Sequence, residues 1–308
     1  MSEILQKTEL APKIFEMIVA APRIARKAQP GHFVVVMASE RGERVPLTIA
    51  DFDRQRGTIT LVLMVVGSSS LLLSRLHSGD NLYAVIGPLG EPSRIGAAEE
   101  MTGGLSQFSS ADAQRGPENG TVPLPTVVMV AGGVGTAPIY PIARAFHQAG
   151  CRVVAIQGAR SKQLLFWTDR LASVSHRHII TTDDGTAGRK GLVTEPLREL
   201  LEQGPRGTID CVYAIGPAIM MKFCAETTRP FDVRTVVSLN SIMVDGTGMC
   251  GGCRVEVGGQ TRFTCTDGPE FDGHAVDWDG LLFRQKVYHE HETCALKRVV
   301  QELEQQDG

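Results

Sequence analysis

Between Asn240 and Gly273 the chain places four side chains at a spacing that suits metal chemistry: Asp245, Cys250, Cys253 and Cys265. Cys250 and Cys253 form a C-x2-C pair among Gly246, Gly248, Gly251 and Gly252. Residues this small let backbone N–H groups fold tightly around a cofactor and point at its sulfurs. A plant-type two-iron, two-sulfur site spaces three ligands C-x4-C-x2-C and takes a fourth from further along. Here Asp245 stands in the first place, and Cys265 follows a predicted hairpin, R-V-E-V-G-G-Q-T-R-F-T. A carboxylate is an anionic oxygen donor that ferric iron accepts. Two other readings of the same residues stay open. In one, the C-x2-C pair joins Cys265 and a later His or Cys around zinc. In the other, Cys294 is the fourth ligand and Asp245 only holds an Asp-Gly turn.

A second group of residues has types suited to a nucleotide. From Pro125 onward, apolar β-branched runs alternate with helical segments, which predicts a doubly wound parallel sheet of about five strands. Ligands of such sheets bind at the carboxyl ends of the strands, and three glycine-bearing turns fall there. Gly133, Val134, Gly135, Thr136 and Pro138 follow T-V-V-M-V-A, Asp183 and Asp184 precede Gly185, and Gly216 and Pro217 precede Met220 and Met221. The first turn opens a helix whose free N–H groups suit an anion. It departs from G-x-G-x-x-G because Pro138 takes the last glycine's place. Met220 and Met221 by themselves read equally as helix core. Arg160, Ser161 and Lys162 would suit a 2'-phosphate, whereas Asp183 and Asp184 would repel one. These residues alone leave NAD(H) and NADP(H) open.

These residues need elements to hold them. From Lys13 to about Gly90, short β-branched runs end in Pro, Gly or Asp, the pattern of a small antiparallel barrel of five or six strands. The link Ser68 to Gly79 is helical in character. Residues 96–122 are rich in Gly, Ser, Ala and Gln without a sustained period, so a flexible insertion is expected there. The resulting division is a barrel over 1–95, the insertion over 96–122, an α/β domain over 123–237 and a cluster domain with a C-terminal helix over 238–308. The fold class is multi-domain α+β.

Composition removes several functions. A net charge of −3 with no basic stripe argues against nucleic acid. The apolar windows Leu61 to Leu73 and Val127 to Ala145 are too short or too interrupted to span a bilayer. The N-terminus lacks a signal-peptide pattern, and an odd count of 7 cysteines fits a reducing, cytoplasmic setting. Cys151, Cys211 and Cys224 lie in apolar runs and read as core.

The order of R-V-P-L-T, G-G-V-G-T-A-P, I-G-P-A-I-M-M and a glycine-rich cysteine cluster resembles the ferredoxin-NADP reductase superfamily. Within it the chain resembles the electron-transfer subunits of class B dihydroorotate dehydrogenase and, more closely, the small subunit of NADH-dependent reduced ferredoxin:NADP oxidoreductase. The resemblance implies FAD in the barrel, with Arg44, Pro46, Leu47 and Thr48 along the isoalloxazine and ribityl-phosphate, and Val65, Val66, Gly67, Ser68 and Ser69 along the ribityl and pyrophosphate. Arg44 also reads as a plain surface charge in E-R-G-E-R. The implied activity is that of an NAD(P)H-dependent flavin and iron-sulfur oxidoreductase subunit in a hetero-oligomer. Hydride passes between NAD(H) and FAD, and single electrons leave through a 2Fe-2S cluster to a larger flavin or iron-sulfur partner subunit. No side chain acts as acid, base or nucleophile in such a scheme. Asp245 departs from the four-cysteine pattern of the dihydroorotate subunit, which favours the transhydrogenase-like relatives. An electron-transfer subunit of a dihydroorotate or sulfide dehydrogenase is the nearer alternative. A zinc-stabilised, non-catalytic adaptor is the more distant one.

Overall fold

A computed structural model describes residues 2–96, 124–204 and 207–307. The insertion expected over 96–122 therefore lies, from residue 97 on, outside the described residues.

The N-terminal part runs β1 (Ser2–Ala11), β2 (Ile14–Ala20), α1 (Pro22–Lys27), β3 (Phe33–Met37), β4 (Val45–Asp53), β5 (Thr58–Met64), α2 (Ser68–Ser74), β6 (Asn81–Leu82) and β7 (Ala84–Leu89). The strands form one antiparallel sheet in the order β6-β1-β2-β5-β4-β3-β7. Tyr83 alone separates β6 from β7, so the chain that ends one edge continues as the other and the sheet nearly closes into a barrel. Its interior is filled by Ile4, Met17, Val34, Ile49, Leu61 and Leu73 among others. β1 is one strand more than the sequence suggested. Only Ile4 and Ala11 of its ten residues are buried, so its own pattern reads as polar. Pairing with β2 across the Pro12-Lys13 turn, with Lys13 at φ +64°, makes it a strand.

The α/β part runs β8 (Thr126–Gly132), α3 (Thr136–Gln148), β9 (Arg152–Ala159), α4 (Thr168–Ser173), β10 (Arg177–Thr182), β11 (Arg189–Lys190), α5 (Thr194–Gln203), β12 (Cys211–Ile215), α6 (Ala218–Thr228) and β13 (Arg234–Ser238). These strands are parallel. Their side chains alternate between two cores: Val128, Val130 and Ile156 face one, and Val127, Met129 and Val153 the other. Burial on both faces explains the unbroken apolar runs. Cys151, Cys211 and Cys224 are buried in these cores.

The C-terminal part has β14 (Arg254–Val257), β15 (Gln260–Phe263), β16 (Glu270–Asp272), α7 (Trp278–Lys286) and α8 (His289–Asp307). β14 and β15 are the expected hairpin, turning on Gly258 and Gly259, both at positive φ. β16 adds antiparallel to β13, which completes the order β11-β10-β9-β8-β12-β13-β16. Chain direction across the sheet reverses between β8 and β12, the switch point where doubly wound sheets bind ligands.

An apolar cluster joins barrel to sheet: Ala11, Ile14, Ala50 and Val62 pack with Ala137, Phe166 and Trp167. At the switch point the backbone is packed tightly. A Cβ on Gly135 would lie 2.1 Å from the Ile215 carbonyl oxygen, and one on Gly216 would lie 3.1 Å from Gly132 Cα. Gly133 is different, with φ +54° and nothing within 4 Å of where its Cβ would be. Gly135→Ala is therefore expected to lower stability by about 1–3 kcal/mol because backbone cannot yield as a side chain can. Gly133→Ala is expected to cost less, about 1–2 kcal/mol for its left-handed backbone alone. Urea midpoints of the two variants check the order.

Candidate functional site

The turn after β8 stands at the switch point. Gly133 to Gly135 make one 3-10 turn, and Thr136 opens α3. Thr136 is buried and receives a hydrogen bond from Gln157 Nε2 (3.3 Å). Val134 packs onto the cluster that includes Ala50 and Val62 of the barrel. The backbone at Gly133 is thus the part of the turn that faces open space, while Gly135 is small because Ile215 lies behind it. Met220 is half-buried and fills the notch between Gly132 and Gly216, where a Cβ on either would meet its sulfur or methyl. Pro217 precedes α6 at the same sheet edge.

Asp183 and Asp184 follow β10, and the Arg160 carbonyl accepts a bond from Asp184 N (3.2 Å). The acidic pair and Arg160 to Lys162 therefore share one place. Asp184 Oδ1 accepts from Thr186 Oγ1 (2.7 Å) and Thr186 N (2.9 Å), and Thr186 Oγ1 in turn accepts from Lys162 N (2.8 Å). The bonds from Thr186 hold the Asp184 carboxyl below its ordinary value, so it is negative at neutral pH.

In the barrel, Pro46, Leu47 and Thr48 lie in β4 opposite Val35, Val34 and Phe33 of β3, and Arg44 is exposed just before them. Val65, Val66 and Gly67 join β5 to α2, whose first residues are Ser68 and Ser69. Val66 N and Gly67 N both donate to Ser70 Oγ (2.9 Å each), which holds this bend. Ser69 Oγ donates to Glu43 beside Arg44, so the two segments meet. Ser70 and Glu43 escaped the sequence reading because their work is to hold neighbours.

The cysteine loop closes on the same strands. Cys253 and Cys265 are buried with sulfurs 3.2 Å apart, packed among Phe33, Val35, Leu89, Met243 and Phe263. A Cβ on Gly246 would lie 2.7 Å from Val35 Cγ2. Cys265 N points at Cys253 Sγ (3.5 Å) and Gly252 N at Cys250 Sγ (3.4 Å). Asp245 accepts from Thr247 N (2.9 Å) and Cys250 N (2.8 Å). The bond from Thr247 keeps its carboxyl below the usual range. The Met249 N–H and the Cys250 thiol also hydrogen-bond to it. Burial pushes the Cys265 thiol up to about 12, so metal binding there releases a proton. Arg284 braces the loop through the Gly252 carbonyl (3.0 Å). Cys294 is exposed on α8.

The donor set fits a two-iron cluster: paired thiols, N–H groups aimed at sulfur and a loop of small residues. Among the described residues no three His, Cys, Asp or Glu side chains converge as around one ion, whereas a two-iron centre divides its ligands between two metals. Phe33 and Val35 are functional neighbours the sequence reading missed. The signal was present, since F-V-V-V does not alternate and all four residues are buried.

Two families match the chain. The oxidoreductase NAD-binding domain matches residues 129–226, and the iron-sulfur cluster binding domain of dihydroorotate dehydrogenase B matches residues 240–277. Fold and site together define an NAD-binding, iron-sulfur oxidoreductase subunit, which displaces the zinc-adaptor reading. The dihydroorotate dehydrogenase B (NAD(+)) electron transfer subunit homolog of Thermotoga maritima is 42% identical over 97% of this chain and 95% of its own length. The electron transfer subunit of Desulforamulus reducens is 31% identical over 90% and 98%. A chain of the NADH-dependent reduced ferredoxin-NADP oxidoreductase structure, described for flavin-based electron bifurcation, matches with a TM-score of 0.83 at 40% identity over 97% and 98%. The chain belongs to the family of dihydroorotate dehydrogenase B electron transfer subunits and their homologues.

Glu270 of β16 lies where barrel, sheet and cluster segment meet, and Ser93 Oγ donates to it. Burial pushes its carboxyl from the ordinary 4.5 up to about 7, with the Ser93 bond and Arg234 opposing. A folded value above the unfolded one means the protonated form is favoured on folding. The stabilisation is complete below about pH 4.5 and is lost as pH rises through about 7. Glu270→Gln is expected to flatten that slope, which urea midpoints at acid and alkaline pH measure.

Proposed function

We propose that the chain exchanges a hydride between NAD(H) and FAD held by the barrel, and passes single electrons through a 2Fe-2S cluster to a larger partner oxidoreductase subunit. The observation that carries this reading is that one strand pair touches both sites. β4 bears Pro46, Leu47 and Thr48 and, two residues on, Ala50, which packs in the cluster with Val134 of the nicotinamide turn. Its partner β3 bears Val35, which meets Gly246 of the cysteine loop.

Bound at these places, the flavin and the cluster supply the conversion from two-electron to one-electron transfer. The residues bind, orient and screen. The open backbone at Gly133 leaves room for a flat ring, and the start of α3 favours negative charge. Asp183 and Asp184 discriminate against a third phosphate. Pro46, Leu47, Thr48 and the bend Val65 to Ser69 line the flavin, with Arg44 at its phosphates. Asp245, Cys250, Cys253 and Cys265 would together hold the two irons. The loop tip is exposed and apolar, with Val244 at 59% and Met249 at 88% exposure beside Cys250, which suits a docking partner. All seven cysteines are free, in keeping with the cytoplasm, and among the described residues no helix is long and apolar enough to cross a membrane.

Iron and flavin analysis with an anaerobic NADH titration tests the whole reading: the flavin band must bleach, and a colourless chain overturns it. Efficiency with NADH is expected to exceed that with NADPH by about tenfold, and Asp183→Asn with Asp184→Asn to narrow the gap to about threefold by removing the repulsion. Equal efficiencies in the parent would promote Arg160 and Lys162 to phosphate ligands.

Asp245→Cys is expected to keep a two-iron cluster with an altered spectrum, because a thiolate restores the plant-type ligand set. Asp245→Ala is expected to lose the cluster while FAD stays bound, and Cys294→Ser to do neither. Cluster loss in Cys294→Ser with retention in Asp245→Ala would move the fourth ligand to α8.

A further inference from the structure

The chain holds a run of buried polar contacts from the barrel to Thr136 of the nicotinamide turn, and its other members belong to neither cofactor site. Glu16 of β2 is buried, and its Oε2 accepts from Trp167 Nε1 (3.0 Å) and Arg170 NH1 (3.2 Å) across the boundary between barrel and sheet. Trp167 has φ +52° and ψ +23°, a left-handed backbone that bulky residues avoid. Tyr140 packs edge-on against its ring, with centroids 5.5 Å apart, and Arg170 lies over it at 4.4 Å. The preceding residue, Phe166, offers its carbonyl to Gln157 Nε2 (2.8 Å), and the same nitrogen donates to Thr136 Oγ1 (3.3 Å). Thr136 is the first residue of α3, directly after the glycine turn. Gln157 is 1% exposed, and its Oε1 has no hydrogen-bond partner among the described residues.

Packing alone does not call for this arrangement. A left-handed tryptophan and a buried acceptor without a donor both oppose folding, whereas an apolar side chain at 157 would remove the unpaired Oε1 and take the donor from the Phe166 carbonyl instead. What the two residues add is a serial tie between the barrel strand β2 and the helix that opens beside the nicotinamide. Hydride transfer depends steeply on the distance between the reacting atoms, so a small error in domain placement is costly.

We propose that Gln157 and Trp167 are positioning residues that set how the turn Gly133–Gly135 and the start of α3 sit against the barrel, and so fix nicotinamide over flavin. The inference rests on the function proposed above. The test uses the full chain with Gln157→Leu, Trp167→Phe, which keeps a ring while removing the N–H donor, and the double variant. Single-turnover flavin bleaching over a range of NADH concentrations separates binding from transfer. Each single variant is expected to lower the limiting rate about tenfold while the NADH dissociation constant moves less than about twofold. The double variant is expected to be no slower than the slower single, because links in series fail together. Independently of activity, the amides of Val134 to Ala137 and of Ile139 are expected to exchange hydrogen faster in both single variants without NADH. Unchanged rates and exchange, a defect carried wholly by the dissociation constant, or additive losses overturn the inference while leaving the function standing. A wild-type chain that NADH does not reduce overturns both. If Gln157→Leu does not fold, Trp167→Phe alone carries the comparisons of limiting rate, dissociation constant and exchange.

Discussion

The close approach of the cysteine loop to the barrel is the constraint on which the arrangement depends. Gly246 rests on Val35, and a single methyl group there would already overlap Val35 Cγ2. Val35 pairs across the sheet with Pro46, so the loop sits one strand away from the residues assigned to the flavin. Phe33, two residues earlier on the same strand, packs with the buried thiols.

The other side of the barrel is joined differently. Toward the α/β sheet the contact is apolar at its centre, through Ala50, Ala137, Phe166 and Trp167, with charged pairs at its margin. Asp51 and Arg144 are 2.7 Å apart and partly exposed, a kind of pair that adds little net stability but penalises misplacement. Apolar burial therefore holds the two parts together, and directional bonds decide their angle. That division suits an interface across which a hydride must pass, because hydrophobic contact alone tolerates sliding.

Asp245 shapes the cysteine loop from within. Its carboxylate accepts two backbone N–H bonds and so shapes the loop that presents Cys250. The Met249 N–H and the Cys250 thiol are also hydrogen-bonded to the same carboxylate. Turn-holding is the role the folded loop shows for Asp245, and ligation of iron is the role proposed for it.

Much of the architecture was legible along the chain. The alternation after Pro125, the glycine-bearing strand ends, the hairpin at Gly258-Gly259 and the C-x2-C loop are local patterns, and local patterns follow from backbone geometry within a few residues. The family-level function and the cofactor classes followed from their order. What only the tertiary structure decided are the contacts between distant residues: β1 made a strand by β2, β16 added to the sheet beside β13, and Val35 placed under Gly246. The glycines make the same point. From spacing, Gly133 and Gly135 look equivalent, yet one faces open space and the other abuts the carbonyl of Ile215. Spacing determines which backbone shapes a segment can take. Which atoms then stand opposite it depends on pairings made far away in the chain, and those are settled only when the whole core is packed.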